Sequence, residues 1–397
     1  MNIQYRAPLN QTELDDSIQC SISVFDESEH MFTNIVKLDP WFDLNNTRAC
    51  FVDGKVVSVV QIFRRPMRIG GSVVQMGGVG NVSTRPEYRR AGHSSQVIRD
   101  SVQYMRAAGY DLSILFTDIQ SHYARAGWVM YPMFRTRMTL PERLEYSSDA
   151  IVRQCDLDQD GGALREIYER FNASRTGTIV RSVEYCNNRP KWRDYDPSLF
   201  WTARQNGGIV AYLMCDRWFI REIGYLPNYE SATIELFHRF FNQAKDEGIN
   251  SVEAIVPHEC RELIAATGCA VKRVEHYHTM IRIINLESLL TKMLPTFETR
   301  LNDSDLSGWG GSIVIRCETD ILCLSVDGGI FKRSAFIRMP SIDLAVSHTQ
   351  LLNLLFGNMT PRQIAFSNGL TLDDSKIELL GVLFPPGELF LWETDRF

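Results

Sequence analysis

A chain of 397 residues exceeds what one hydrophobic core usually serves, so two or three domains are expected, and 44% hydrophobic with 23% charged residues is enough to fold them. A net charge of −6 argues against general nucleic-acid binding; no stretch approaches the length of a membrane span, and the start MNIQYRAPLN lacks a basic-then-apolar leader, so a cytoplasmic protein with no membrane partner is expected. Its nine cysteines form no CxxC pair and join no histidines at zinc-ligand spacing, which points to reduced thiols and no metal.

Taken in chain order, Phe25–Phe32 reads as helical and acidic. Ala49–Val52, the turn Asp53-Gly54 and Val56–Phe63 form a hairpin, because Asp-Gly favours the primed turn that matches strand twist. Strand Val73–Val82 follows. From Glu87 to Met105, apolar residues at Val97, Ile98, Val102 and Met105 recur at helical spacing, and Gly109 stops the helix. Leu112–Phe116 reads as a buried strand, Ser121–Ala126 as a short helix and Phe134–Leu140 as an alternating strand. The polar run Pro141–Asp149 places a first boundary near residue 145.

The second stretch repeats this order with Leu199–Ala203, the turn Asn206–Gly208, Ile209–Cys215, a helix Ser231–Glu247 and strand Ser251–Val256, and it closes on the strand His278–Ile284. Helical Leu286–Lys292, with Pro295 soon after, opens a third stretch from about residue 291. Short strands Ser312–Cys317, Ile321–Val326 and Phe331–Arg338 follow, then helices from Ser347 and from Thr360, an α+β pattern. The expected organisation is α/β: two tandem mixed-sheet domains, 1–145 and 146–290, and a small α+β domain, 291–397.

The stretch that carries chemistry is Val79–Ser95, a strand passing through a Gly-containing turn into a helix. The first N–H groups of a helix have no internal partners and the macrodipole adds positive potential there, so this junction is an anion site, reinforced by Arg89 and Arg90; Gly92 clears a side chain where phosphate would approach the backbone. The corresponding junction of the second stretch, Glu222–Ala232, has no Arg-x-x-Gly and places Glu230 where the anion would sit, so it is not expected to bind phosphate.

The loop Arg89-Arg90-Ala91-Gly92-His93-Ser94 resembles the Arg/Gln-x-x-Gly-x-Gly/Ala signature of the GNAT N-acetyltransferases, with Ser in the last small position. Ser121-His-Tyr-Ala-Arg-Ala-Gly-Trp128 resembles the end of the GNAT core. The resemblance implies that Val82, Ser83 and Thr84 line the pantetheine arm of acetyl-CoA. It implies too that Arg89, Arg90, Ala91, Gly92, His93, Ser94 and Ser95 hold the pyrophosphate, and that Tyr123 lies near the sulfur. A tyrosine has an ordinary pKa of about 10 and still holds a proton for a departing thiolate at neutral pH. His122 is expected to face solvent and receives no role.

Two GNAT-like halves and an α+β tail resemble the Eis (enhanced intracellular survival) family, whose tail is similar to a sterol carrier protein. In the tail the resemblance rests on Leu351–Gly357, Thr360-Pro361, Leu383–Pro385 and the terminal Trp392–Phe397. In that family the last α-carboxylate enters the N-terminal site, which makes Phe397 the candidate base; its members form symmetric oligomers, often hexamers, so a homo-oligomer is expected. Asp26 and Glu27 lie where GNAT proteins shape the acceptor cleft, as candidates to meet a cationic amine. The implied function is direct acetyl transfer from acetyl-CoA to a primary amine of a small cationic or peptide substrate, without a metal. The alternative is a lipid or small-molecule carrier on a retired GNAT scaffold.

Overall fold

The computed structural model describes residues 1–25, 29–142, 148–191, 196–276, 278–370 and 372–397. Among the described residues the chain builds two seven-stranded mixed sheets and a four-stranded sheet. The first hairpin, Thr47–Val52 and Lys55–Ile69, turns through Asp53 and Gly54, both at positive φ, as the Asp-Gly pair requires. The strand Ser72–Thr84 pairs antiparallel with it. The helix His93–Ala107 then crosses to the parallel strand Leu112–Phe116 and buries Val97, Ile98 and Met105 against the sheet. That helix starts at His93 rather than Glu87, because Arg90 and Gly92 both adopt left-handed conformations and a short Pro86–Tyr88 turn precedes them.

The strands that end the first two stretches change places. Met133–Thr139 lies in the second sheet between Ser251–Ala254 and Ala270–His276. Thr279–Ile283, more than a hundred residues away in sequence, lies in the first sheet between Leu112–Phe116 and Val129–Met130. Each sheet is therefore completed by the other's segment of chain.

The second half repeats the order of the first, with the hairpin Phe200–Gln205 and Gly208–Asp216, the strand Phe219–Tyr225 and the helix Glu230–Asp246, whose Leu236, Phe237, Phe240 and Phe241 form its core. In the last stretch the helix Leu286–Asn302 runs through Pro295 instead of ending before it. Its Leu289, Leu290, Met293 and Phe297 pack between the first sheet and the strands Gly311–Cys317, Asp320–Asp327, Ile330–Ser334 and Ile342–Val346, burial enough to carry the proline. Buried Asp111 fastens this helix to the first sheet, accepting from Ser288 Oγ at 2.6 Å and Lys292 Nζ at 2.6 Å. The later helices His348–Leu355 and Pro361–Asn368 both begin with capping boxes, on Ser347 and Thr360. Among the described residues, no helix is long and apolar enough to cross a membrane.

A fragment ending at residue 142 would lack the central strand Thr279–Ile283 and leave Met133–Thr139 unpaired. Expressed alone, it is expected to lose near-ultraviolet circular dichroism and to aggregate, whereas co-expression with the remaining chain should restore a soluble complex.

Candidate active site

The strands Ser72–Thr84 and Leu112–Phe116 pair only from Met76–Val79 to Leu112–Leu115 and then part. From Gly80 to Thr84 the first strand keeps its partner on one side alone. At the point of parting it carries a bulge: Gly80 and Ser83 pair with Gln61 and Val59, so Asn81 and Val82 together face Val60, and Asn81 has a positive φ. A β-bulge next to a parted strand pair turns backbone N–H groups away from the ladder and toward an opening. A cavity of about 420 Å³ opens there, walled by Gly80–Val82, Tyr123, Phe63, Phe116 and the apolar side chains of Phe25, Met31, Phe32 and Ile35.

Phe397 fills one end of it. Its ring lies against the Cα of Gly78, where any β-carbon would collide with it, and against Phe63 and Phe116, each with centroids 5.5 Å away. A β-carbon at Gly80 would stand 3.3 Å from the terminal carboxyl carbon. Glycine inside a strand marks such close approach, and the run Gly77-Gly78-Val79-Gly80 was the signal in the sequence for this contact.

The terminal segment is held by the second half. Phe390 and Trp392 are buried in its core; the Phe390 N–H donates to the Thr176 carbonyl at 2.9 Å and the Trp392 indole to Asn172 Oδ1 at 3.0 Å. Asp395 is 1% exposed. It accepts from Arg181 Nε at 3.0 Å and Nη2 at 2.9 Å, from Tyr185 at 3.0 Å and from Tyr168 at 3.2 Å. The other side of the same guanidinium donates to Glu222 at 2.9 and 2.6 Å, and Tyr212 also donates to Glu222. Arg396 lies over the Phe116 ring at 3.9 Å and Arg189 donates to the Arg396 carbonyl at 3.4 Å, so both guanidiniums line the cavity that receives the terminus.

Tyr123, at the far wall, has its hydroxyl pushed up to about 12 by burial, so it stays protonated at neutral pH. Beyond the bulge, Gly92 has φ +83 and open space where a β-carbon would stand, and the helix it introduces has no side-chain cap. The N–H groups of its first turn are available to an anion, and Arg89 and Arg90 are exposed beside them.

The structure thus brings Val82, Tyr123 and Phe397 to one cavity and sets Arg89–Ser95 at the helix start beyond it. Other expectations differ in detail. The Ser83 side chain is turned inward, 3.3 Å from Ser21 Oγ, and its carbonyl accepts from Ser58, because the bulge shifts the alternation of facing residues by one. The His93 ring is buried, with Nδ1 3.2 Å from the Tyr5 hydroxyl, so only its backbone can meet an anion. His122 does not simply face solvent: its Nε2 is 2.9 Å from Ser94 Oγ and joins the loop to the helix of Tyr123. Asp26 and Glu27 lie outside the described residues. Sequence reasoning missed Phe63, Phe116, Asn81, Arg396 and Arg181, whose roles depend on distant chain.

In the second half, Phe219–Tyr225 likewise pairs with Ser251–Ala254 only at Phe219 and Ile220, but the tail residues Thr394 and Asp395 lie against it, joined through Arg181 and Glu222. Glu230 opens the following helix, exposed, where a carboxylate complements the macrodipole and repels phosphate.

Residues 5–130 match the family model described as an acetyltransferase (GNAT) domain. The chain shares its fold from end to end with solved structures. A probable N-acyltransferase of Enterococcus faecalis has TM-score 0.76 and 16% identity, with 100% of both chains covered. A GCN5-related N-acetyltransferase of Anabaena variabilis has TM-score 0.69 and 18% identity, covering 98% of this chain and 100% of its own. Eis1 of Mycobacterium abscessus has TM-score 0.65 and 16% identity, with 100% of both covered. No curated protein matches the chain. The fold is mixed α/β and GNAT-like, and the segment that matches the acetyltransferase (GNAT) domain lies at its N-terminal end.

His276, beside the tail, is held at a pKa of about 4, below the ordinary 6.5, first by burial and then by Arg135 and Arg396. Between those values the unfolded chain binds the extra proton, so this contribution to stability is complete above about pH 6.5 and is lost as pH falls toward about 4. His276→Gln should flatten the fall in melting temperature across that interval. Because His122, His238 and His348 are shifted in the same direction, some slope should remain.

Proposed function

We propose that this protein is an acetyl-CoA-dependent N-acetyltransferase that modifies a primary amine by direct attack on the thioester. The observation that carries the reading is the parted, bulged strand at Gly80–Thr84, with Tyr123 across the cavity, Phe397 seated against Gly78 and Gly80, and the uncapped helix start at Gly92 beyond it. The residues present fit the cosubstrate. The parted edge Gly80–Thr84 offers backbone groups to an extended amide-bearing arm, the uncapped helix start with Arg89 and Arg90 suits a pyrophosphate, and the space before Gly92 lets it approach.

In this mechanism the Phe397 carboxylate, ionised at neutral pH in a cavity that Arg189 and Arg396 also line, receives the ammonium proton of the acceptor through water. The neutral amine attacks the acetyl carbonyl, and a backbone N–H at Asn81–Val82 stabilises the oxyanion. The tetrahedral species collapses, the C–S bond breaks, Tyr123 gives its proton to the thiolate, and the surplus proton left on the acylated nitrogen returns to the tyrosinate, so that the amide is neutral and the tyrosine is restored. Burial that keeps the Tyr123 proton in place also makes it harder to release, so transfer accompanies formation of a thiolate that is itself poorly solvated. The apolar walls from Phe25, Phe32 and Phe63 favour an acceptor with an apolar or aromatic portion, and Asp118, at the cavity's edge, is placed to meet a cationic amine.

Tyr123→Phe should leave the affinity for CoA nearly intact and lower the single-turnover rate. The wild-type enzyme should show no alkaline loss from this group below its pKa of about 12. Equal single-turnover rates for the two proteins would remove Tyr123 from the reaction.

The sharper test is at the terminus. Adding a few residues after Phe397 converts the carboxylate to a neutral peptide carbonyl, and turnover should fall by about 10²–10⁴, the range of positioned acid–base groups, while CoA binding measured by calorimetry is retained. A correctly folded, C-terminally extended protein that acetylates its best amine at the unextended rate would assign the base elsewhere.

A further inference from the structure

A second cavity, of about 660 Å³, lies where the first sheet meets the last stretch of the chain. Arg282 projects into it from the exchanged strand Thr279–Ile283. On the same face of that strand Met280 and Ile284 are buried in the core beneath the helix His93–Ala107, so an arginine stands where the alternation calls for an apolar residue. Its guanidinium lies against the Cα of Gly127, a contact any β-carbon would forbid, and its carbon is 5.6 Å from the Trp128 ring centroid. Arg106, at the end of the helix, lines the same space, with Nε donating to the Ile284 carbonyl at 3.2 Å.

Among the described residues neither arginine forms an ion pair, and Arg282 Nε and the Trp128 indole N–H are buried without a hydrogen-bond partner. Glu318 and Asp320, on the far wall, are exposed. Arg106 acts on Arg282 more strongly than Glu318 does, and together with burial this draws the Arg282 pKa below its ordinary value. His348 Nε2 accepts from the Ile283 N–H at 2.7 Å, so in the neutral ring the hydrogen is on Nδ1. The cavity therefore gathers, alongside the exposed carboxylates Glu318 and Asp320, two guanidiniums that form no ion pair among the described residues, with N–H and O–H donors, including Ser121, beside the apolar Val129 and Leu286.

We propose that this cavity is a binding site for a small organic anion, a carboxylate or phosphate ester, held between Arg106 and Arg282 with its apolar part against Val129 and Leu286. An anion supplies what the two guanidiniums lack: a counter-charge that accepts hydrogen bonds from both. The site is separate from the acetyl-transfer cavity, yet the helix Gln120–Ala124 walls both, presenting Gln120, Ser121 and Ala124 to this one and Tyr123 to the other.

The test is calorimetric titration of the full-length protein with inorganic phosphate and, separately, with citrate at constant ionic strength, in wild type, Arg282→Met and Arg106→Gln. The loop at Arg89–Ser95 is intact in all three, so its own affinity for anions is common to them. Loss of one charge-assisted contact should weaken the additional site about 10–100-fold in either variant. Phosphate alone, citrate alone or both showing that difference supports the site and identifies the head group. Superimposable isotherms for wild type and variants with both anions overturn it. Arg106 is exposed at a helix end, so Arg106→Gln keeps the comparison decisive should Arg282→Met fail to fold.

Discussion

One buried guanidinium organises the terminus of this protein. Arg181 forks between Glu222 and Asp395, and three tyrosine hydroxyls complete the set, from Tyr168 and Tyr185 to Asp395 and from Tyr212 to Glu222. Taking such charges out of water is costly. The arrangement holds because every charge is both paired and hydrogen bonded, and removing one partner from a buried pair typically costs about 3–5 kcal/mol. Asp395 stands two residues before the end, so the position of the final carboxylate follows from this clamp together with the Phe397 ring held over Gly78.

The second half thus has a structural claim on the first half's cavity. It lends the strand Thr279–Ile283 to the first sheet, and it grips the tail that reaches the first half's cavity. In return it takes Met133–Thr139. Each strand pairs on both sides in its host sheet, so the exchange leaves no raw edge at either position and makes the halves mutually dependent. The parted strands of the second sheet have the chain's own tail against them, which suits a half whose helix begins with Glu230.

Local chemistry made much of the fold legible. The Asp53-Gly54 and Asn206-Gly207 turns, the apolar spacing of Val97, Ile98 and Met105, and the Ser347 and Thr360 caps each depend on a few adjacent residues. Gly92 was legible as a position without a side chain before a helix, and the structure shows open space there together with a positive φ. Less was legible where a distant partner decides. A one-residue bulge and the Tyr5 contact turn the side chains of Ser83 and His93 inward and leave their backbone to the opening. His122 has a loop partner, Ser94, 28 residues earlier. Pro295 failed to end its helix because tertiary burial outweighed the lost backbone bond.

The sequence by itself determined the α/β alternation and a glycine-led helix start with two arginines beside it, since these follow from backbone conformation and residue size within a few positions. Tertiary structure alone decided which sheet each closing strand joins and that Arg181 and Glu222 govern the chain's end. It also decided which faces of Tyr123's helix meet which cavity. Those outcomes join residues far apart in the chain, and their free energy comes from burial and charge pairing that no local pattern encodes.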